Sequence, residues 1–375
     1  MAIGLIGFSI GLVSCTHPSA PAPTPDPVST PTPSSSPIQR MIDAAPEGTT
    51  LHLAPRTYRI STPIVPKAGD RLIGAGEGVT VLDGGGSGSN GIDTKGGISD
   101  VLVADLTVMG FNDGIRLGPA WQVTGVEATR NVIGLQFAGF AGATITDAST
   151  HDNGRFGIHG SSDQGQVIRS DVFRNHTDAS WPSGFSGGLK LVNCTGFAVR
   201  NTSIHDNYGV GLWFDEEVHD AIATGKEVTN NDDDGIRIEI STGVELSNNT
   251  VNGSVVVFNS SSTLVRGNVI SAPSSIDLLL RFMGNGRLRD GKEFVNAHNR
   301  AVGNTVTLAP GQLVGVVRTS GTTIDNAFRG NVYRIASLTT PSFEWWDGSR
   351  MLEVDWTTWT GVYGQDLRGK ASTTR

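Results

Sequence analysis

Asp215 and Glu239 stand 24 residues apart. Each lies four residues after a glycine that opens a short alternating run, Gly211-Leu212-Trp213-Phe214-Asp215 and Gly235-Ile236-Arg237-Ile238-Glu239. If the two runs are neighbouring parallel strands, their carboxyl groups stack at roughly 4.8 Å. Like charges that close disfavour joint ionisation, so one carboxyl pKa should rise, a cost that folding alone does not explain. The pair suits a reaction in which one group gives a proton and the other acts as base or nucleophile. Carboxyls roughly 5 Å apart suit retaining cleavage of a glycosidic bond, and wider pairs suit inverting cleavage. The position two after the glycine adds Lys190, Trp213 and Arg237, with His159 one run earlier. Lys and Arg bind a uronate carboxylate or a developing negative charge. A Trp face stacks on a sugar ring, and Lys190 or His159 would serve as base in an elimination. The plainer expectation is a solvated polar face on which Arg237 neutralises both carboxylates.

These residues share a repeat, and periods of 20–50 residues signal stacked architectures. Glycine followed by an alternating run occurs at Gly114, Gly134, Gly157, Gly188, Gly211 and Gly235, in steps of 20, 23, 31, 23 and 24. A second column, Asn131, Asn153, Asn175, Asn207 and Asn231, advances by 22, 22, 32 and 24. Two columns with one period and one interruption predict coils joined by Asn turns, with the Asn side chains hydrogen-bonded along the stack. A leucine-rich repeat needs a different frame. Alternation places Leu212, Phe214, Ile236 and Ile238 inside and the candidate site outside. The long step carries about eight extra residues around Thr177–Gly187, with Trp181 and Phe185, and insertions of this kind map to loops on a binding face. Trp181 therefore joins the substrate-binding candidates.

The opening IQRMIDAAPEGTTLHLAPRTYRI and the runs YGVGLWFDEE and DDDGIRIEIS resemble the right-handed β-helix repeat proteins of the pectin lyase-like superfamily. The resemblance covers about residues 38–370. It implies an all-β, single-stranded, right-handed parallel β-helix with a short N-terminal capping helix and an aromatic-rich C-terminal cap. The superfamily holds lyases, hydrolases, epimerases, esterases and adhesins, so the fold alone does not set the function. The expected function is a surface-anchored glycoside hydrolase acting on a polysaccharide in the groove. The alternatives are a lyase on a uronate-containing glycan and a non-catalytic glycan-binding solenoid.

Composition agrees: 49 Gly among 375 residues, 7% aromatic and 17% charged. The net charge of -8, without a basic block, gives no support to nucleic-acid binding. Residues 1–15 form an apolar run without the usual basic residues before it, ending in the lipobox-like Leu12-Val13-Ser14-Cys15. Cys15 is the expected lipidation site, which would attach an exported protein to the membrane. Residues 16–37 read as a Pro/Ser/Thr-rich tether. Residues 38–375 form the β-helix domain, with periodic coils over about 96–283 and a cap over about 284–375. Cys194 lacks a partner and reads as a small buried residue. No motif calls for a cofactor. Ca²⁺ at Asp232–Asp234 with Asp206 is the weak exception, and a solvated Asp-rich turn is preferred. A monomer is expected.

Overall fold

The computed structural model describes residues 36–374, apart from 274 and 277. The expected leader, most of the tether and Cys15 lie outside the described residues. Short strands of two to eight residues stack in parallel into three long ladders. One ladder begins at Thr50–His52, a second at Thr57–Arg59, and the third, of 12 strands among the described residues, at Ile92–Asp93. Alternation sends one set of side chains into a continuous apolar axis. Leu212, Phe214, Ile236 and Ile238 are all fully buried there, as the sequence pattern predicts.

The two sequence columns share a period because they occupy the same space. Asn131, Asn153, Asn175 and Asn207, all buried, and the half-buried Asn231 form one corner. Each Nδ2 donates to the Oδ1 of the next, at 3.2, 2.9, 3.0 and 2.9 Å. The residue before each Asn (Arg130, Asp152, Arg174, Asp206 and Asn230) turns the chain with φ near 50°. A Cβ on Gly157, Gly188 or Gly211 would sit 2.6–2.7 Å from the Nδ2 of the next ladder Asn. Glycine is needed there because the Asn column fills the place of its side chain.

The coils extend beyond the expected range of 96–283 at both ends. A second corner column, Asn249, Asn268, Asn304 and Asn331, carries the ladder on to the Asp366 carboxylate. The period fades from the sequence near residue 284 because the step from Asn268 to Asn304 is 36 residues. The extra chain is not a plain loop. It folds outward as a small antiparallel hairpin, Leu288–Arg289 with Lys292–Glu293, before the parallel ladder resumes at Arg300–Val302.

Both ends are closed. Helix α1, Pro37–Ala44, is capped by Ser36, whose Oγ accepts from the Gln39 amide, and it buries Ile38 and Ile42 over the first coil. The Gln39 side chain ties it down by exchanging hydrogen bonds with the Val65 backbone. At the other end a single-turn helix α2, Trp356–Gly361, drives Trp359 fully inside. Trp359 stacks on Phe343 at 4.8 Å and donates to Asp366. This removes the open sheet end that would otherwise template further strands. Short local spacing hid this helix in the sequence.

Candidate functional site

The outward row of the third ladder runs Gln136, His159, Lys190, Trp213, Arg237 and Val256 on successive coils. Two residues further along each strand, Asp215 follows Val192, and Glu239 sits on the next coil beside Phe258. The period therefore gathers Asp215, Glu239, Lys190, Arg237 and His159 into one cleft of about 450 Å³, together with Arg155, Phe185 and Arg287. That volume is in the range of small-ligand sites. A larger cavity of about 790 Å³ lies at the C-terminal end beside Asp325, whose carboxylate is already held by His298 and Arg300.

The two carboxylates have different surroundings. Asp215 Oδ2 lies 2.8 Å from Lys190 Nζ, and both side chains are at most one-tenth exposed. Its Oδ1 accepts from the Glu216 amide at 2.8 Å. Glu239 has its pKa raised, first by burial and then by the charge of Asp215. Its counter-ion is Arg287 at 2.8 Å, on the hairpin side of the cleft. Arg237 does not ion-pair with either carboxylate, although its charge still favours ionised Glu239. Arg237 is held instead by Asp234 at 2.6 Å and Asp233 at 3.1 Å, because those residues end the turn directly beneath its strand. The Asp-rich turn is correspondingly not a solvated one at Asp234, which is buried and also accepts from Ser254.

Trp213 does not offer a ring face. Lys190 Nζ stands 3.5 Å from the ring centroid on one coil and the Arg237 guanidinium 5.1 Å on the next. Side chains stacked along the coil axis cover each other's faces, so Trp213 is 4% exposed. Its role is to hold two cations. The exposed aromatic at the cleft is Phe185, from the insertion. Trp181, from the same insertion, is not among the residues lining the cleft. It stacks on Arg155 at 4.4 Å.

His159 lies in the cleft wall, stacked on Phe156 at 4.8 Å, with Nδ1 3.0 Å from Gln136 Oε1. Burial, with Arg155 and Lys190 nearby, pushes its pKa down to about 4. The ring is therefore neutral at pH 7. With Nδ1–H donated to the Gln136 carbonyl, Nε2 is left as a lone pair. Cys194 is buried and its thiol is pushed up to about 11, which leaves it unreactive.

Sequence reasoning missed Arg155 and Arg287. Arg155 precedes Gly157 by two residues, in a turn that carries no periodic signal. Arg287 belongs to the second long step, so the insertion rule that drew attention to Trp181 would have found it.

The fold is a right-handed parallel β-helix. A family model described as a right handed beta helix region matches residues 111–270. A search of curated protein sequences gave no match. Among solved structures, the chain is similar to the A-module of the Azotobacter vinelandii mannuronan C-5 epimerase AlgE6. The two are 18% identical, with 90% of this chain and 94% of that one covered at a TM-score of 0.66. The A-module of the same organism's epimerase AlgE4 is also 18% identical, over 79% and 90% of the chains at 0.58. PfbA, a surface adhesin of Streptococcus pneumoniae, is 10% identical over 84% and 90% at 0.51.

Proposed function

We propose that the protein hydrolyses a glycan bound along the groove of the third ladder. Glu239 acts as general acid and Asp215, paired with Lys190, as the partner that attacks the sugar or directs water onto it. One observation carries this reading: two carboxyls on neighbouring coils of one cleft have opposed environments. Glu239 is biased toward its protonated form, while Asp215 is met by an ammonium at 2.8 Å. A carboxyl biased toward its protonated form beside a second carboxyl held by a cation is an arrangement that can divide acid and nucleophile or base roles. Glu239 would protonate the leaving oxygen; if Asp215 attacks, Glu239 then takes the proton of the water that cleaves the glycosyl ester, and if Asp215 directs water, Asp215 takes that proton. The similarity to modules named for mannuronan, a polysaccharide, supports a polymer as the occupant of the groove.

A second reading, elimination from a uronate with His159 as base, is favoured by the neutral imidazole and its free Nε2. A non-catalytic glycan-binding solenoid is the rival that the adhesin neighbour favours. A polysaccharide panel read for reducing ends and for the ultraviolet absorbance of unsaturated uronates separates the three. Hydrolysis predicts new reducing ends without absorbance, abolished in Asp215→Asn and Glu239→Gln. Turnover retained in both variants would sink the carboxylate mechanism. Surface attachment belongs to the same proposal. With its native leader, the protein should partition with membranes and Cys15→Ala should release it; equal partitioning of both forms would refute the anchor.

A further inference from the structure

Lys190, Arg237 and Arg287 in the cleft are each matched to a carboxylate within 3.1 Å. Arg155 is not. Among the described residues it has no acidic partner: its Nε donates to the Phe185 carbonyl at 3.2 Å, and its guanidinium lies 4.4 Å from the Trp181 ring centroid and 5.2 Å from that of Phe156. Two aromatic rings and a carbonyl fix the plane of the fork while its terminal nitrogens have no carboxylate to bind. Burial already lowers its pKa, so part of the hydration that would compete with a ligand has been removed. A planar guanidinium held this way matches a carboxylate or sulfate with two parallel hydrogen bonds.

We propose that Arg155 is an anion-recognition residue and that the glycan in the groove carries a carboxylate or sulfate group there. Arg155 leads directly into the Phe156–Ser161 strand, two coils before the Asp215 strand, about 10 Å along the groove at the spacing of adjacent strands. The charged group therefore belongs to a sugar unit displaced from the bond being cut. The insertion with Trp181 and Phe185 is what builds this subsite. The inference rests on the hydrolytic reading only for its distance from the reacting bond; the anion site stands without it.

The test uses the full chain carrying Glu239→Gln, so that binding is read without turnover. Calorimetric titrations are made with an oligogalacturonate, a sulfated carrageenan oligosaccharide and a neutral xylo-oligosaccharide. At least one anionic probe should bind, more weakly as salt rises, and Arg155→Met should weaken it about ten- to hundredfold. Arg155→Lys should restore only part of the loss, while binding of the neutral probe should not change. The preferred anionic probe tells carboxylate from sulfate. Unfolding midpoints of both variants matching the parent confirm that the site, not the fold, was changed. Absence of binding by both anionic probes at millimolar concentration, or equal binding by Arg155→Met, would overturn the proposal. Retained turnover in Asp215→Asn and Glu239→Gln refutes the hydrolytic reading instead, without touching the anion site.

Discussion

Asp215→Asn should destabilise the protein even though it removes one of two crowded carboxylates. Viewed from the sequence, relief of repulsion between Asp215 and Glu239 would raise stability. The structure reverses that sign, because the nearest charge to Asp215 is Lys190 at 2.8 Å, with side-chain exposures of 10% for Lys190 and 7% for Asp215. Neither group is exposed enough for the small surface ion-pair value to apply. Removing one partner of a buried pair leaves the other charge uncompensated, which costs about 3–5 kcal/mol. Trp213 retains the ammonium over its ring in both forms and so does not offset the loss. Removing both charges with Lys190→Met and Asp215→Asn should recover most of it, to within about 1 kcal/mol of wild type. Glu239→Gln should move stability by about 1 kcal/mol or less. It removes a carboxylate whose ionisation is disfavoured, at the expense of an ion pair with the half-exposed Arg287. The assay is urea unfolding at pH 7 of wild type, the Lys190 and Asp215 single variants and the double, closed as a cycle. Asp215→Asn as stable as wild type, or a double variant no better than the Asp215 single, would refute the reasoning.

Three further outcomes are expected. His159 has its pKa lowered from 6.5 to about 4, so the unfolded chain takes up a proton first. Stability should then be fully present above about pH 6.5 and fall by about 3 kcal/mol as pH drops through 4; unfolding midpoints against pH should show this slope flattened in His159→Gln. Lys226 is buried with no hydrogen-bond partner for Nζ among the described residues, and its pKa lies well below the usual lysine value. Lys226→Met should therefore stabilise by about 1–3 kcal/mol at pH 7, and the gain should shrink as pH rises toward the ordinary lysine value; an unchanged midpoint at pH 7 would count against a penalised amine. Leu212→Ala, in the fully buried axis, should cost about 2–5 kcal/mol, whereas Arg116→Ala on the outward row should cost about 0.5 kcal/mol or less by the same denaturant titration.

Much of the fold was legible in the residues because a solenoid repeats its local rules. The Gly and Asn columns share a period because the Asn ladder fills the space of a glycine side chain. Strand alternation then places Leu212 and Phe214 inside and puts Asp215, Glu239, Lys190, Arg237 and His159 on one outward face. What the sequence could not determine was how those side chains pair. Lys190, Asp215 and Glu239 sit at the corners of one small patch, and a shift of a few ångströms decides which charges meet. Only the tertiary structure assigned Lys190 to Asp215, Arg237 to the Asp233–Asp234 turn, and Arg287 to Glu239 from a hairpin 48 residues away. It likewise closed both faces of Trp213 and left Arg155 without a counter-ion among the described residues. Periodicity is a property of neighbouring coils, whereas charge pairing depends on insertions that obey no period, and these had to be seen folded.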